Sequence, residues 1–159
     1  MSTTEDLFFE AVAARELVRP SVRAIVVQQD RLLLQRPVDV PDAYAFVGGE
    51  YEFGDTFDTR IRREFEEETT AKVISWSYLF VVENRFLHGG RRLQTLEHYL
   101  EVQIDREDVD TREGHLVHEW ISREQLPMVN LRPRVVRDAL AEGGLPTQRH
   151  LVFDGWLSK

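Results

Sequence analysis

The chain has 159 residues, 42% of them hydrophobic and 30% charged, the composition of one globular domain rather than a disordered segment. Twenty-eight acidic against 20 basic residues give a net charge of -8, which counts against a polyanion-wrapping surface and against nucleic acid as a partner. A small phosphorylated ligand stays open, because divalent cations supply positive charge locally. Cysteine is absent, which excludes disulfides, thiolate metal sites and a Cys nucleophile. The N-terminus lacks the basic start and apolar run of a signal peptide. No apolar run approaches the roughly 20 residues that span a bilayer. The expectation is a cytoplasmic protein with no membrane partner.

The first element reads as a helix. Thr3 or Thr4 caps it, acids fill its first turn, and Leu7, Phe8, Ala11, Val12 and Leu17 give it an apolar side, with Arg19-Pro20 as its end. Residues 1–19 are therefore expected to form a helical extension, with a single domain over 20–159. A hairpin follows: a strand over Val22 to Val27, a turn at Gln29-Asp30 and a strand over Arg31 to Gln35. A short strand over Tyr44 to Val47 is expected to break at Gly48-Gly49. A helix runs from about Phe57 to Thr69, with Ile61 and Phe65 on its buried side. Two β-rich stretches flank the turn "HGGRR" and pair antiparallel. "HLVHEWIS" alternates like a half-buried strand, Pro133 opens a last helix that Gly143-Gly144 stops, and the tail from Gln148 adds a short strand or packs on the surface. Strands outnumber singly placed helices, which predicts an α+β fold with helices against a mixed sheet.

The helix after Gly54 gathers Glu64, Glu66, Glu67 and Glu68 in its second half. At 100° per residue, Glu64, Glu67 and Glu68 fall within an arc of about 100°, with Glu66 turned away. A solvated surface helix would lace them with Arg60-Glu64, Arg62-Glu66 and Arg63-Glu67 pairs. That reading has a flaw: the arginines come first and the glutamates last, the opposite of what the helix dipole favours. The pairs also run in the weaker orientation. Carboxylates late on one face suit a hard cation such as Mg²⁺ or Mn²⁺. Such sites work on phosphates, and the glycine-marked loop lets backbone approach closely. Metal-assisted hydrolysis of a phosphate ester or anhydride is the chemistry that these residues suggest.

The segment resembles the Nudix box: Gly, five residues, Glu, seven residues, Arg-Glu, an apolar residue, any residue, Glu-Glu, any residue, Gly, an apolar residue. Here it reads Gly49, Asp55, Arg63-Glu64, Phe65, Glu66, Glu67-Glu68, Thr69, Thr70, Ala71, with every spacing kept over 23 of the 159 residues. Asp55 stands where the family has Glu, and Thr70 where it has Gly. The resemblance implies an α/β/α sandwich with a mixed sheet flanked by helices. It implies Mg²⁺- or Mn²⁺-dependent hydrolysis of a pyrophosphate bond in a nucleoside diphosphate derivative, by water attack on phosphorus. Glu67 and Glu68 match the cation ligands, with Glu68 the principal one, and Glu64 matches a third ligand that acts as base in some members. Arg63 matches the arginine that orients the glutamates. The Gly48 carbonyl is a further ligand candidate, and Asp55 is expected to brace the loop before the helix by hydrogen bonds.

Outside the box the same resemblance points to a base on the loop before the late Trp. Glu113 is the first choice and Glu119 the second. Candidates for substrate contact are Arg36, Tyr44, Phe46, Gly49, Asp55, Arg85 and His98, with Arg132 and Arg134 as further phosphate-binding arginines. Each has an ordinary packing or surface alternative. The partner expected is a small nucleotide, and an exposed Phe8-Phe9 pair would favour a homodimer. The alternatives are a catalytically inactive nucleotide-binding module of the same fold, which Asp55 and Thr70 would favour, and an interaction domain whose acidic helix is merely solvated.

Overall fold

A computed structural model describes residues 1–157 of the chain. The elements are α1 (Thr4–Ala14), β1 (Val18–Ile25), β2 (Val27–Gln28), β3 (Arg31–Pro37), β4 (Ala45–Glu50), α2 (Phe57–Glu68), β5 (Val73–His88), β6 (Arg91–Ile104), β7 (Leu116–Ser122), a 3₁₀ helix (Arg123–Met128), α3 (Arg134–Ala141) and β8 (His150–Asp154). The strands make one mixed sheet in the order β2-β3-β4-β1-β6-β5-β8, with β7 added on β3. β1 runs parallel to β6 and β5 parallel to β8, while the other pairings are antiparallel.

Period-2 alternation along the central strands sends apolar side chains to both faces, so the sheet needs cover on both sides. On one face Val22, Ala24, Val47, Leu100 and Val102 pack with Ile61 and Phe65 of α2. On the other, Ile25, Leu34, Phe46, Phe80 and Tyr99 pack with Leu126 of the 3₁₀ helix and Val136 and Leu140 of α3. Helices therefore lie on both faces of a mixed sheet, the α/β/α sandwich expected. Among the described residues no helix is long and apolar enough to cross a membrane.

Three boundaries differ from the sequence reading. The first helix stops at Ala14, and β1 already begins at Val18, so Arg19-Pro20 lies inside a strand and Leu17 outside the helix. Proline is tolerated there because β4 ends opposite Ser21, leaving Pro20 paired in register only with β6. The apolar side of α1 buries no residue; Leu7 is 59% and Phe8 44% exposed. Gly48 and Gly49 do not break the chain but continue β4 to Glu50. They are glycines because other groups come close: a Cβ on Gly48 would strike the Val22 carbonyl of β1, and one on Gly49 would fall on the Glu64 carboxylate.

Candidate active site

Helix α2 is fixed at its start by a capping box, in which Thr56 Oγ1 accepts from Thr59 N–H and Thr59 Oγ1 from Thr56 N–H. Ahead of it, Asp55 closes the loop. Its Oδ2 accepts from Glu52 N–H at 2.8 Å and from Arg60 Nε at 2.7 Å. Arg60, 6% exposed, also donates to Glu64 Oε1 at 3.0 Å. One buried guanidinium thus joins the loop carboxylate to the first box glutamate, and together with Glu52 N–H it holds the Asp55 carboxyl below the usual carboxylate range. The surface lacing is different from the one expected. Arg62 pairs with Asp58 at 2.9 Å instead of Glu66, and the acid nearest Arg63 is Asp55 at 3.6 Å instead of Glu67. The arginine that orients a box glutamate in this chain is Arg60, which the sequence reading placed among surface pairs.

The end of α2 is tied to the loop before β7. Glu68 C=O accepts from Arg112 N–H at 2.7 Å, and Thr70 N–H donates to Asp110 C=O at 3.0 Å. Thr70 Oγ1 in turn accepts from Asp110 N–H at 3.0 Å. The chain leaves the helix through Thr69 in an extended conformation (φ -133, ψ 168), and Thr70, where the family has Gly, does not take a positive φ, so no glycine is needed there.

This docking brings Glu113 beside the box. Burial first, and then the charges of Glu64 and Glu113, push the Glu68 carboxyl well above the usual carboxylate range, while Arg23 of β1 opposes them. Glu68 Oε2 is buried without a hydrogen-bond partner. Glu67 is exposed and Glu113 is paired with His115 at 3.2 Å. Among the described residues no three acidic or histidine side chains converge at ligating distance of one point. The donor set nevertheless fits a hard divalent cation: an orphaned carboxylate oxygen, two further carboxylates close enough to disturb it, and an adjacent glycine backbone.

The remaining candidates separate. Arg36 Nε donates to Glu119 Oε1 at 2.9 Å and Tyr44 OH to Glu119 Oε2 at 3.0 Å, so these three form one half-exposed group. Phe46 is 1% exposed and meets Tyr99 edge-on at 5.3 Å between ring centres, which makes it core rather than a substrate contact. Arg85 pairs with Asp154 at 3.2 Å and covers the Trp156 ring at 3.8 Å, at the β5–β8 end of the sheet and not at the box. His98 shares the α2 face with Val22, meets the Tyr78 hydroxyl at 3.0 Å through Nδ1 and packs under Phe57 at 4.9 Å. Burial pushes its imidazole down. Sequence reasoning missed Arg23 and His118. Burial pushes His118 down to about 4; its Nδ1 meets Thr111 Oγ1 at 2.8 Å. Only the register of β7 against β3 could have placed it on the α2 face, opposite Gln35.

Three solved structures share the architecture. A MutT protein from Bacillus halodurans superposes with a TM-score of 0.56 at 18% identity, over 86% of this chain and 90% of that one. A NUDIX hydrolase from Nitrosomonas europaea gives 0.58 at 15% identity, over 86% and 79%. MutT from Aliivibrio salmonicida and Vibrio cholerae gives 0.58 at 21% identity, over 79% and 99%. A comparison with curated proteins finds no match in sequence. The family model of the NUDIX domain matches residues 17–140, and with the box helix, its glycine strand and the sandwich around them, the chain belongs to the NUDIX family of hydrolases acting on phosphoric anhydrides.

Proposed function

We propose that the chain hydrolyses a pyrophosphate bond in a nucleoside diphosphate derivative, with Mg²⁺ or Mn²⁺ as cofactor. The observation that carries this is Glu68: a carboxylate oxygen withdrawn from water, without a hydrogen-bond donor and with two more carboxylates nearby. A carboxyl placed this way either keeps its proton or needs positive charge beside it, and a divalent cation is the positive charge that three carboxylates can hold. Glu64, Glu67, Glu68 and the Gly48 carbonyl would hold it. The cation, when bound, supplies charge to polarise the phosphoryl oxygens and to ease deprotonation of the attacking water.

The chain's own groups do the rest. Arg60 keeps Glu64 turned against Gly49, and Asp55 keeps Arg60 in place. Glu113, carried to Glu68 by the loop contacts at Thr70 and Arg112, is the group proposed to take the proton of the attacking water. The phosphorus–oxygen bond of the anhydride breaks as the water oxygen bonds to phosphorus, and the leaving phosphate departs with the bridging oxygen. The helical extension expected over residues 1–19 is proposed to end before Val18, where β1 already joins the sheet, close to residue 17, where the family match begins.

The test is a panel of nucleoside triphosphates, nucleotide sugars and dinucleotides incubated with Mg²⁺ or Mn²⁺, with phosphate release read after phosphatase coupling and products identified. Turnover of at least one compound is expected. Binding of a nucleotide without turnover of any would leave an inactive NUDIX module instead.

A further inference from the structure

The group at Arg36 looks spare until its hydrogen bonds are counted. Glu119 lies on β7 in register with Leu34 of β3, and Leu34 faces Phe46 of β4, so Glu119, Arg36, Tyr44 and Phe46 line one face by strand parity. Gly48 is on that same face by parity, four residues beyond Tyr44, or about 13 Å along the strand, while α2 and its glutamates lie across the sheet, against Gly49. That distance is longer than a diphosphate and comparable with a nucleoside diphosphate. Glu119 Oε1 takes Arg36 Nε and Oε2 takes Tyr44 OH, which uses both carboxylate oxygens. The two Nη groups of Arg36 make no aligned hydrogen bond among the described residues, although the guanidinium lies close enough to the Tyr44 hydroxyl to act on it, and its side chain is 21% exposed. Arginine held by Nε alone presents its planar pair of Nη donors outward, the arrangement that takes two acceptor atoms at once.

We propose that Glu119 is not a base but a positioning residue: it fixes the Arg36 guanidinium and the Tyr44 ring so that the free Nη pair grips two acceptor atoms at the end of the substrate remote from the cleaved bond. This deepens the pyrophosphohydrolase reading and rests on it for the position of the other end. The acceptor pair is either the oxygens of a further phosphate or the acceptor edge of a base. Both Glu119 oxygens are already taken by donors, Oε1 by Arg36 and Oε2 by Tyr44, in the structure. The nearer acid to Glu68 is Glu113.

The experiment measures binding of α,β-methylene nucleotide analogues in Mg²⁺ by calorimetry, together with steady-state kinetics on whichever compound the panel shows to turn over. The proteins are wild type, Glu119→Gln, Glu119→Ala, Arg36→Ala and the Glu119→Ala/Arg36→Ala double variant. Glu119→Ala should raise Kd and KM about tenfold, the weight of one charge-assisted hydrogen bond, with kcat and its pH profile unchanged. Glu119→Gln, which keeps an oxygen for Nε, should recover part of the loss. The double variant should be no weaker than Arg36→Ala. Removing one phosphate at constant base, against exchanging purine for pyrimidine at constant phosphate, tells which acceptor pair is held. A collapse of kcat with loss of a limb of the pH profile in Glu119→Ala would overturn the inference, as would additive losses in the double variant or no analogue bound by wild type. Analogues bound but no compound turned over would fail the hydrolase reading alone, leaving the affinities to decide this one.

Discussion

Glu97 of β6 and Glu68 at the end of α2 are both withdrawn from water, but their surroundings differ. Glu97, 8% exposed, accepts from Asn84 Nδ2 at 2.7 Å, Thr95 Oγ1 at 2.8 Å and Tyr99 OH at 2.8 Å. Three neutral donors replace the lost hydration of the carboxylate itself, although Asn84 Oδ1 in the same group stays buried without a partner. Glu68 has no donor on Oε2 and has carboxylates as neighbours. Carboxylates of equal chemistry thus divide into one whose oxygens the fold supplies with donors and one with an oxygen left without any.

The largest effect should come from breaking the unsatisfied member. Glu68→Gln is expected to lower turnover roughly 100-fold or more, since ligand loss acts on the bound cation and the transition state together. Metal-free, the variant should melt no lower than wild type, because the amide replaces a carboxyl whose anion burial and Glu64 already disfavour. Its melting temperature should no longer rise with added Mg²⁺. Phosphate-release kinetics and thermal melts with and without Mg²⁺ check both. Normal turnover would remove Glu68 from the site.

Breaking the satisfied member should do the reverse. Glu97→Leu orphans an amide and two hydroxyl donors, which costs about 3 kcal/mol of stability at the usual weight of buried unpaired groups, read by denaturant melts. The folded fraction should keep wild-type KM. A variant that stays stable but loses activity would move Glu97 from the frame to the site.

His118 stands between the two cases. Nδ1 meets Thr111, but Nε2 is buried without a partner. Its folded pKa, near 4, lies below the value of 6.5 for an exposed histidine. Between those two pH values the unfolded chain binds the proton that the folded one refuses. Stability therefore falls as pH drops from 6.5 toward 4, by at most about 3 kcal/mol for this group. His118→Gln should flatten that decline in urea melts recorded from pH 7 to 4. An unchanged slope would assign the acid sensitivity elsewhere.

What the sequence could disclose follows from how far apart the cooperating residues lie. Box spacing, the Thr56 cap and the apolar i, i+4 pair Ile61 and Phe65 are local, and α2 forms over Phe57–Glu68 as their pattern requires. Pairing of β5 with β6 across Gly89-Gly90 is equally local. The start of β1 was missed because its proline is tolerated by an absence, the end of β4, that only the assembled sheet reveals. The role of Arg60 was missed because its burial depends on Asp55 folding back over it. Glu119 and Arg36 are 83 residues apart and meet only when β7 adds to β3. Phe46 and Arg85 carried the right chemistry for a ligand, but a hydrophobic cluster claims one and Asp154 with Trp156 the other.

The smallest effect belongs to a carboxylate that water already satisfies. Glu10 of α1 meets Arg91 of β6 at 2.9 Å, with 54% and 47% of the side chains exposed. Solvent screens such a pair and side-chain entropy opposes it, so Glu10→Gln should cost no more than about 0.5 kcal/mol. The difference should vanish in about 1 M salt, where the screening length falls to roughly 3 Å. α1 should stay in place because its other contacts do not depend on this charge: Phe9 lies edge-on to Phe86 at 5.6 Å, and Asp6 meets His88 at 2.6 Å. Melts of the two proteins at low and high salt check it. A loss as large as that of Glu97→Leu would mean that an exposed ion pair carries the seating of the first helix, and the contrast between satisfied and unsatisfied carboxylates would then have to include where the solvated ones sit.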